Sequence, residues 1–594
     1  MRVRLLWALV LSTSVVAGCG ESPPVPAGGG AAGSGSANAG ASGSGGNTNS
    51  AGSTALAGTG GVTAGSGGSS ANAGNDAGGA AGSAGNGVPT QPTWPEFCNG
   101  LTTAPTGEQW QTDRVYYENG KLTYASDANQ NRIPDYSYAG YRYGAEPLPE
   151  VPEVMRVSPG DGDDTARIQD AVDAVGALEP DAAGIRGAVV LEPGIYEIAG
   201  TINVDADGVV LRGSGNGDDP ASASILQITG NSPAERPGIR AGSGDSSPWT
   251  TGDGSEITTP FVPVGSRTFD VAAASSFAVG DEVIVRHPSS QAWIDAVSGG
   301  STGADAPWSA GSRDLTWVRR ITSIEGNTVT LDAPVFNHLD LSLTQSLLLP
   351  VTEKNIRARV GVEDLRIDIQ TQGGEDEAHA WDGVRVVGAE DSWVRGVTVL
   401  HFTHAGVETS GVVRVTVRDS VAVEPVGVRT GGRFYNFDAE GNSQLVLFSE
   451  CHAEDGRHNM ISNGTQTTSG IVFHRISDNG DSASEAHRQW TQGMLYDSVG
   501  GEAPGTIQLI SRGDYGTGHG WAGVHSVIWN YSGTMRVQQP PTAQNYAFSS
   551  AGTLGTSYPF PGPDGEADVR AGGTLFPPSL YEAQLCERLS APQP

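Results

Sequence analysis

VEDL from Val362, VRGV from Val394, VRDSV from Val417, LFSEC from Leu447, VFHRI from Val472, LYDSV from Leu495 and VIWNY from Val527 repeat one phrase. In each, an apolar residue is answered three or four positions later by another, across a polar or small middle. Successive copies start 32, 23, 30, 25, 23 and 32 residues apart. A strand-like phrase returning at a period in the twenties to low thirties is what a β-solenoid writes: one repeat is one turn of chain, and the core runs through the stack. The expected class is therefore all-β, with residues 341–550 as the main coils. One continuous core of this kind replaces the several domains that 594 residues would otherwise suggest.

The chain opens MRVRLLWALVLSTSVVAGCG. Arg2 and Arg4 precede an apolar run, Leu5 to Val16, that is too short to span a bilayer. Its ending, Val16-Ala17-Gly18-Cys19, resembles the lipobox of bacterial lipoproteins, which implies lipidation of Cys19. The resemblance makes residues 1–19 a signal peptide and the membrane a partner through the N-terminal lipid. Gly20 in the next position favours an outer-membrane address. Residues 20–92 follow as a tether. From Ala27 to Gly87 it is almost entirely Gly, Ala, Ser, Asn and Thr, with Asp76 as its only charge. Such a stretch cannot bury enough apolar surface to offset its ordering entropy. As a coil of about 60 residues it would reach about 40–45 Å.

The net charge of −32 belongs to the remainder and excludes a nucleic-acid partner, which needs a basic face. Lys121 and Lys354 are the only lysines, so a proton-abstracting group has to come from His, Arg, Tyr or a carboxylate. Cys98 and Cys586 stand near the two ends of the folded region and are candidates for a bridge in an exported protein, while Cys451 lies on a repeat phrase and reads as core.

Residues 93–259 read as a lead-in, a capping helix and the first coils. Asp127, Asn129, Asn131 and Asp135 place oxygen side chains at alternate positions, as a calcium loop does, but Arg132 and Tyr138 stand where an EF-hand has Gly and Glu. The other reading is an Asx-rich turn before Pro134. In DGDDTARIQDAVDAVGAL from Asp161, Ile168, Ala171, Val172 and Val175 fall on one helix face, with Asp163 as N-cap. RGAVVLEPGIYEIAG, TINV and GVVLRGSG then give short strands broken by Gly, Pro and Asp. GSGNG from Gly213 is no dinucleotide fingerprint, because no helical pattern follows it. The order DDTARIQDAVDAV, Pro-Gly turn, GVVLRGSG resembles the N-terminal cap and first coils of pectate-lyase-like right-handed parallel β-helix proteins, and RIPDYSYAGY from Arg132 is similar to the lead-in of some members. This implies a right-handed parallel β-helix with a short N-terminal capping helix. It also implies a polysaccharide partner, often a uronate polymer, and possible use of calcium. The carboxylate cluster and the RxPxxR segment of calcium-dependent pectate lyases are missing, so the resemblance implies fold more strongly than reaction. Residues 260–340 change texture to alternating strands and read as an inserted small β-domain. Residues 551–594 read as a loop and a short helix.

Coils of a β-helix stack about 4.8 Å apart, so residues at one offset form a column. Eight positions before Leu495 stands His487, and eight before Val527 stands His519; the same offset in earlier coils falls at Gly464, Ala439 and Thr409. Around the column gather Arg457-His458-Asn459, His474-Arg475, His487-Arg488-Gln489-Trp490 and His519-Gly520-Trp521, and six of the eleven histidines lie between His452 and His525. A lyase acting on a uronate neutralises its carboxylate and removes the C5 proton, which Arg and neutral His can do without Lys. The expected roles are Arg457 or Arg488 as neutraliser and His458 or His487 as base, with Asn459, Trp490, His519 and Trp521 as substrate contacts. A glycoside hydrolase using Asp438, Glu440, Asp455 or Asp514, and a non-catalytic glycan-binding protein, are the alternatives. A ladder of stacked polar residues with no chemistry is the structural alternative for the same cluster.

Overall fold

In the computed structural model, which describes residues 98, 107–303, 306–480 and 482–590, three parallel sheets run along one coil. The proposed lipid site at Cys19 and the tether of residues 20–92 lie outside the described residues. The first sheet has fourteen strands, from Glu153–Val157 to Glu566–Val569. The second has seven, from Gly194–Ile198 to Ser477–Asn479, and the third has ten, from Ile202–Val204 to Thr553–Leu554. Each turn visits them in that order: Ala389–Arg395, Thr398–Leu400 and Ala405–Ser410 make one coil. The chain is a right-handed parallel β-helix, the hand that strand twist imposes on parallel crossovers. The helix Thr165–Gly176 caps the first coils with Ile168, Ala171, Val172 and Val175 all buried. The N-cap is Asp164, one residue on from the expected Asp163, and makes no side-chain cap bond; Asp163 Oδ1 accepts from the Thr165 amide at 3.0 Å.

The core is built from columns of like residues. On the first sheet Val362, Val394, Val417, Phe448, Phe473, Tyr496 and Ile528 stand in register and point inward. Phe473 lies stacked between Phe448 (ring centroids 4.9 Å apart) and Tyr496 (5.3 Å). This register corrects the repeat phrases by one residue. Val417 pairs with Phe448, and Leu447 pairs with Thr416. Leu447, Val472, Leu495 and Val527 therefore point away from the coil axis, yet they are buried too. Strands apolar on both faces leave a one-residue slip invisible in sequence.

Three segments cover that outer face. Tyr136 of the lead-in donates its hydroxyl to the His525 carbonyl, and the Tyr141 amide donates to Thr416 Oγ1 at 2.8 Å. The C-terminal helix Leu580–Ser590 runs back over the lead-in: Gln584 Oε1 accepts from the Tyr136 amide, and Tyr581 donates to the Ala139 carbonyl. Cys98 and Cys586, 488 residues apart in sequence, form a disulfide there. Cys451 is free and buried in the core. No helix among the described residues is long and apolar enough to cross a membrane.

The third cover is the inserted domain, a seven-stranded sheet that extends beyond residues 260–340. It begins at Trp249–Thr251 and ends at Leu347–Lys354, whose apolar start reads like a coil strand but pairs antiparallel with Glu282–His287. Its exit segment lays Phe336 flat on the first sheet over Gly470 and Gly493. A Cβ on Gly493, at φ +60°, would stand 2.1 Å from Phe336 Cδ1. Gly493→Ala is expected to cost about 2–4 kcal/mol in denaturant unfolding, from the backbone conformation plus the clash. Gly326→Ala, at φ +64° with open space around it, should cost only about 1 kcal/mol. Equal losses at the two positions would show that Phe336 is not clamped there.

Candidate functional site

The outer face of the third sheet carries charge where its inner face carries Val384, Val407, Phe437 and Met460. In register along it stand Arg240, Arg385, Glu408, Asp438, Ile461, Glu485, Gln508 and Arg536. Two residues further on along three of these strands, on the same face, come Glu440, Asn463 and His487. Towards the strand starts, Tyr435 pairs with His458. The aromatic rings form an unbroken file. His404 to Tyr435 is 5.5 Å between centroids, Tyr435 to His458 5.5 Å, His458 to His487 5.1 Å and His487 to His519 4.9 Å.

Guanidinium groups crowd the far half of this file. Glu485 Oε1 lies 2.5 Å from both His487 Nδ1 and Arg512 Nη1, and Arg512 also contacts His487 Nδ1. In the tautomer with its proton on Nδ1, His487 donates to Glu485 and its Nε2 keeps a lone pair. His458 Nδ1 donates to the Ala483 carbonyl at 2.5 Å, while its Nε2 is buried without a hydrogen-bond partner. Burial, then Arg512, His519, Arg457 and Arg488, hold His487 well below the usual imidazole range. Burial lowers His458 likewise; Glu485, 3.4 Å from its Nε2, pulls the other way and is outweighed. His519 is brought down to about 3 by burial and Arg512. Three neutral imidazoles thus sit among cations. Arg457 donates to the Tyr435 hydroxyl at 3.4 Å, and the Gly432 amide to the same oxygen at 3.0 Å. Burial pushes the Tyr435 phenol up to about 12.

The near half is acidic. His404 Nδ1 is 2.7 Å from Asp382 Oδ1, and Arg385 bridges Asp382 and Glu408. Burial alone would raise Asp382, but Arg385 and His404 outweigh it and hold the carboxyl low. Asp382 in turn overcomes burial at His404 and lifts it to about 10. Burial pushes Glu408 up to about 7 and raises Asp438 well above the carboxylate range.

Of the expected residues, the structure gathers Arg457, His458, His487, Arg488 and His519 on this face. Arg488 donates to the Asn463 carbonyl at 2.8 Å and lies 3.8 Å from Glu440. The fixed-offset column itself does not exist. Thr409 and Ala439 point into the core, and His487 belongs to the outward row one position away. Three expected substrate contacts lie elsewhere. Asn459 is fully buried at an interior corner, donating to Asp478 Oδ1 at 2.6 Å and to the Asn479 carbonyl. Trp490 is fully buried between Trp293 and Trp308 of the insert, with its indole N–H on Asn337. Trp521 is buried and donates to Ser301 of the insert. These two tryptophans dock the inserted domain. Asp455 and Asp514 are exposed, away from Asp438 and Glu440. His474 faces the C-terminal helix, 3.5 Å from Glu582.

The calcium-loop candidates spend their oxygens on the backbone. Asp127 Oδ1 accepts from the Asn129 and Asn131 amides, Asn131 Oδ1 from the Val264 amide, and Asp135 Oδ1 from the Ser137 amide. They form Asx turns rather than a converging shell. Tyr435, Glu485, Arg512 and His404 were not anticipated. Glu485 had a signal, since it stands two residues from His487 and shares its strand face.

No family model matches the chain, and no curated protein matches it. Among solved structures, a tailspike of Pseudomonas phage LKA1 is similar at 15% identity over 66% of this chain and 57% of its own, TM-score 0.40. A polygalacturonase of Erwinia carotovora is similar at 10% identity over 71% of this chain and 98% of its own, TM-score 0.31. The A-module of a mannuronan C-5 epimerase of Azotobacter vinelandii gives 11% identity, 70% and 99% coverage and TM-score 0.27. Similarity at this level says nothing about activity.

Outside the acidic half, five further buried imidazoles besides His487 are held neutral. His287 and His525 are brought down to about 3 and His338 to about 4, chiefly by burial at the seam under the insert, and join His458 and His519. The unfolded chain takes up these protons below about pH 6.5 and the folded chain does not, so stability is complete above that pH and falls as pH drops toward 4. Unfolding free energy should fall by several kcal/mol, order of magnitude, between pH 7 and pH 5.5. A urea midpoint unchanged over that interval would mean these rings are not buried neutral.

Proposed function

We propose that this protein is a lipid-anchored surface enzyme that cleaves a uronate-containing polysaccharide by β-elimination along the third sheet. The observation that carries this reading is the meeting of neutral imidazoles, guanidinium groups and a protonated phenol in one file. An acidic sugar needs all three. Arg457 and Arg488, both half-exposed, neutralise the substrate carboxylate and stabilise the enolate. His487 Nε2 removes the C5 proton, its basicity supported by Glu485 on Nδ1. Electrons from the broken C5–H bond form the C4–C5 double bond as the C4–O4 bond breaks, and Tyr435 gives its proton to the departing oxygen. His458 packs against both acid and base, whose own ring centroids are 6.1 Å apart. Arg512 holds Glu485 and is a positioning residue.

Tyr435 and His487 are 1% and 5% exposed, so the segment Arg429–Phe434 has to lift for a chain to enter. Arg433 pins it to Glu377 at 2.7 Å, and Arg429 donates to the Asp455 and Gly456 carbonyls. The hydrolase reading is weaker because, of its candidates, Asp455 and Asp514 are exposed while Asp438 is fully buried. Calcium would add carboxylate neutralisation, but the guanidinium groups already supply it. The lipobox-like ending at Cys19 and the Gly-, Ala- and Ser-rich tether support an address outside the cell, on the outer membrane.

The test is turnover on uronate-containing and neutral glycans, followed by ultraviolet absorbance of the unsaturated product. His487→Ala and Tyr435→Phe should each lower kcat about 10²–10⁴-fold, with folding checked by circular dichroism. Reducing ends released without that absorbance would replace the lyase by a hydrolase, and glycan binding with neither would make it a binding protein.

A further inference from the structure

We propose that His404, Asp438 and Glu440 form a binding site for a divalent transition-metal ion of the zinc or manganese class. The claim rests on the near half of the third sheet and is independent of the lyase reading.

Three groups of His and carboxylate side chains on this face bring their ligand atoms within 4.8 Å of one another. Two are already filled by cations of the protein. In His458, Glu485 and His487, the Arg512 guanidinium sits on Glu485 Oε1 at 2.5 Å and contacts His487. In Asp382, His404 and Glu408, Arg385 bridges both carboxylates. A metal ion entering either would meet a positive charge in its own place.

The third group is arranged differently. Asp382 Oδ1 accepts from His404 Nδ1 at 2.7 Å, which fixes the ring and turns its Nε2 toward Asp438; an ion bound there would displace the Nε2 proton. A carboxylate behind a histidine is how metal-binding imidazoles are usually oriented. Asp438 is fully buried; its Oδ1 accepts from the Asn463 amide at 3.1 Å, and its Oδ2 has no hydrogen-bond partner. That unpaired oxygen faces His404 Nε2 across 4.0 Å. The gap is too long for a hydrogen bond. An ion at ordinary metal–ligand distances fits between the two atoms. A buried carboxylate oxygen without a partner is costly unless something occupies its lone pairs. Glu440 completes the set. Its Oε1 is steadied by Asn463 Nδ2 at 2.6 Å, and the Arg488 guanidinium stands 3.8 Å from its Oε2, at the edge of the group and not inside it. His404 and Glu440 keep 14% and 20% of their side-chain surface exposed, so the group reaches solvent at its edge.

One imidazole nitrogen with two carboxylates suits a borderline ion better than calcium, which takes six to eight oxygens.

The test is isothermal titration of metal-stripped full-length protein with zinc, manganese and calcium salts. One equivalent of zinc or manganese should bind, with calcium at least about tenfold weaker. Asp438→Asn should weaken binding about 100-fold or more, and Glu440→Gln, at a half-exposed position that tolerates change, about tenfold. His452→Ala removes a surface His–Glu pair (3.3 Å) and should leave binding unchanged. Circular dichroism separates misfolding from lost ligation, and Glu440→Gln decides the matter if Asp438→Asn does not fold. The proposal fails if no equivalent binds, if Glu440→Gln leaves affinity unchanged, or if calcium binds as tightly as the others. None of these readings depends on glycan turnover.

Discussion

Parallel strands stacked about 4.8 Å apart bring each side chain against its counterpart one coil above and below. Every column must therefore hold residues that tolerate each other at contact distance. On the inner faces this is met by apolar residues, with Phe448, Phe473 and Tyr496 as an aromatic stack. On the outer face of the third sheet it is met by ion pairs and hydrogen bonds, so that Arg385 lies beside Glu408 and Glu485 beside Arg512. The crowding that perturbs these protonation states is thus a direct product of the coil.

The first sheet resolves the same constraint differently, since it has no free face. Its inward column faces the coil core, and its outward column supports the lead-in, the inserted domain and the returning C-terminal helix. Trp490 and Trp521 serve this second interface. Aromatic rings near a histidine cluster suggest sugar platforms from sequence alone, but an insert arriving from more than 150 residues upstream covers them, as the Trp490–Asn337 bond shows. Nothing local in the chain announces such a partner.

What was legible followed from short-range pattern. The capping helix placed Ile168, Ala171, Val172 and Val175 inward as its spacing implies, and the period identified a coil. Of the six histidines at residues 452–525, His458, His487 and His519 share the outer face of the third sheet. What was not legible depended on register. Loops between sheets vary in length, so an offset counted from a phrase on the first sheet drifts by a residue before it reaches the third. That drift merged inward Ala439 with outward His487. It also hid Tyr435, His404, Glu485 and Arg512, which register on the third sheet would have aligned.

The bond between Cys98 and Cys586 has a bearing on how such a coil comes apart. A stack of repeats ordinarily frays from its ends, because a terminal rung has one neighbour instead of two. Here the segment before the first rung is fastened to the helix after the last, so neither end can peel without straining the other. Resistance to trimming by proteases then becomes a property of the oxidation state of the surroundings. Reduction would leave the two ends held by the packing and hydrogen bonds of the C-terminal helix on the lead-in alone.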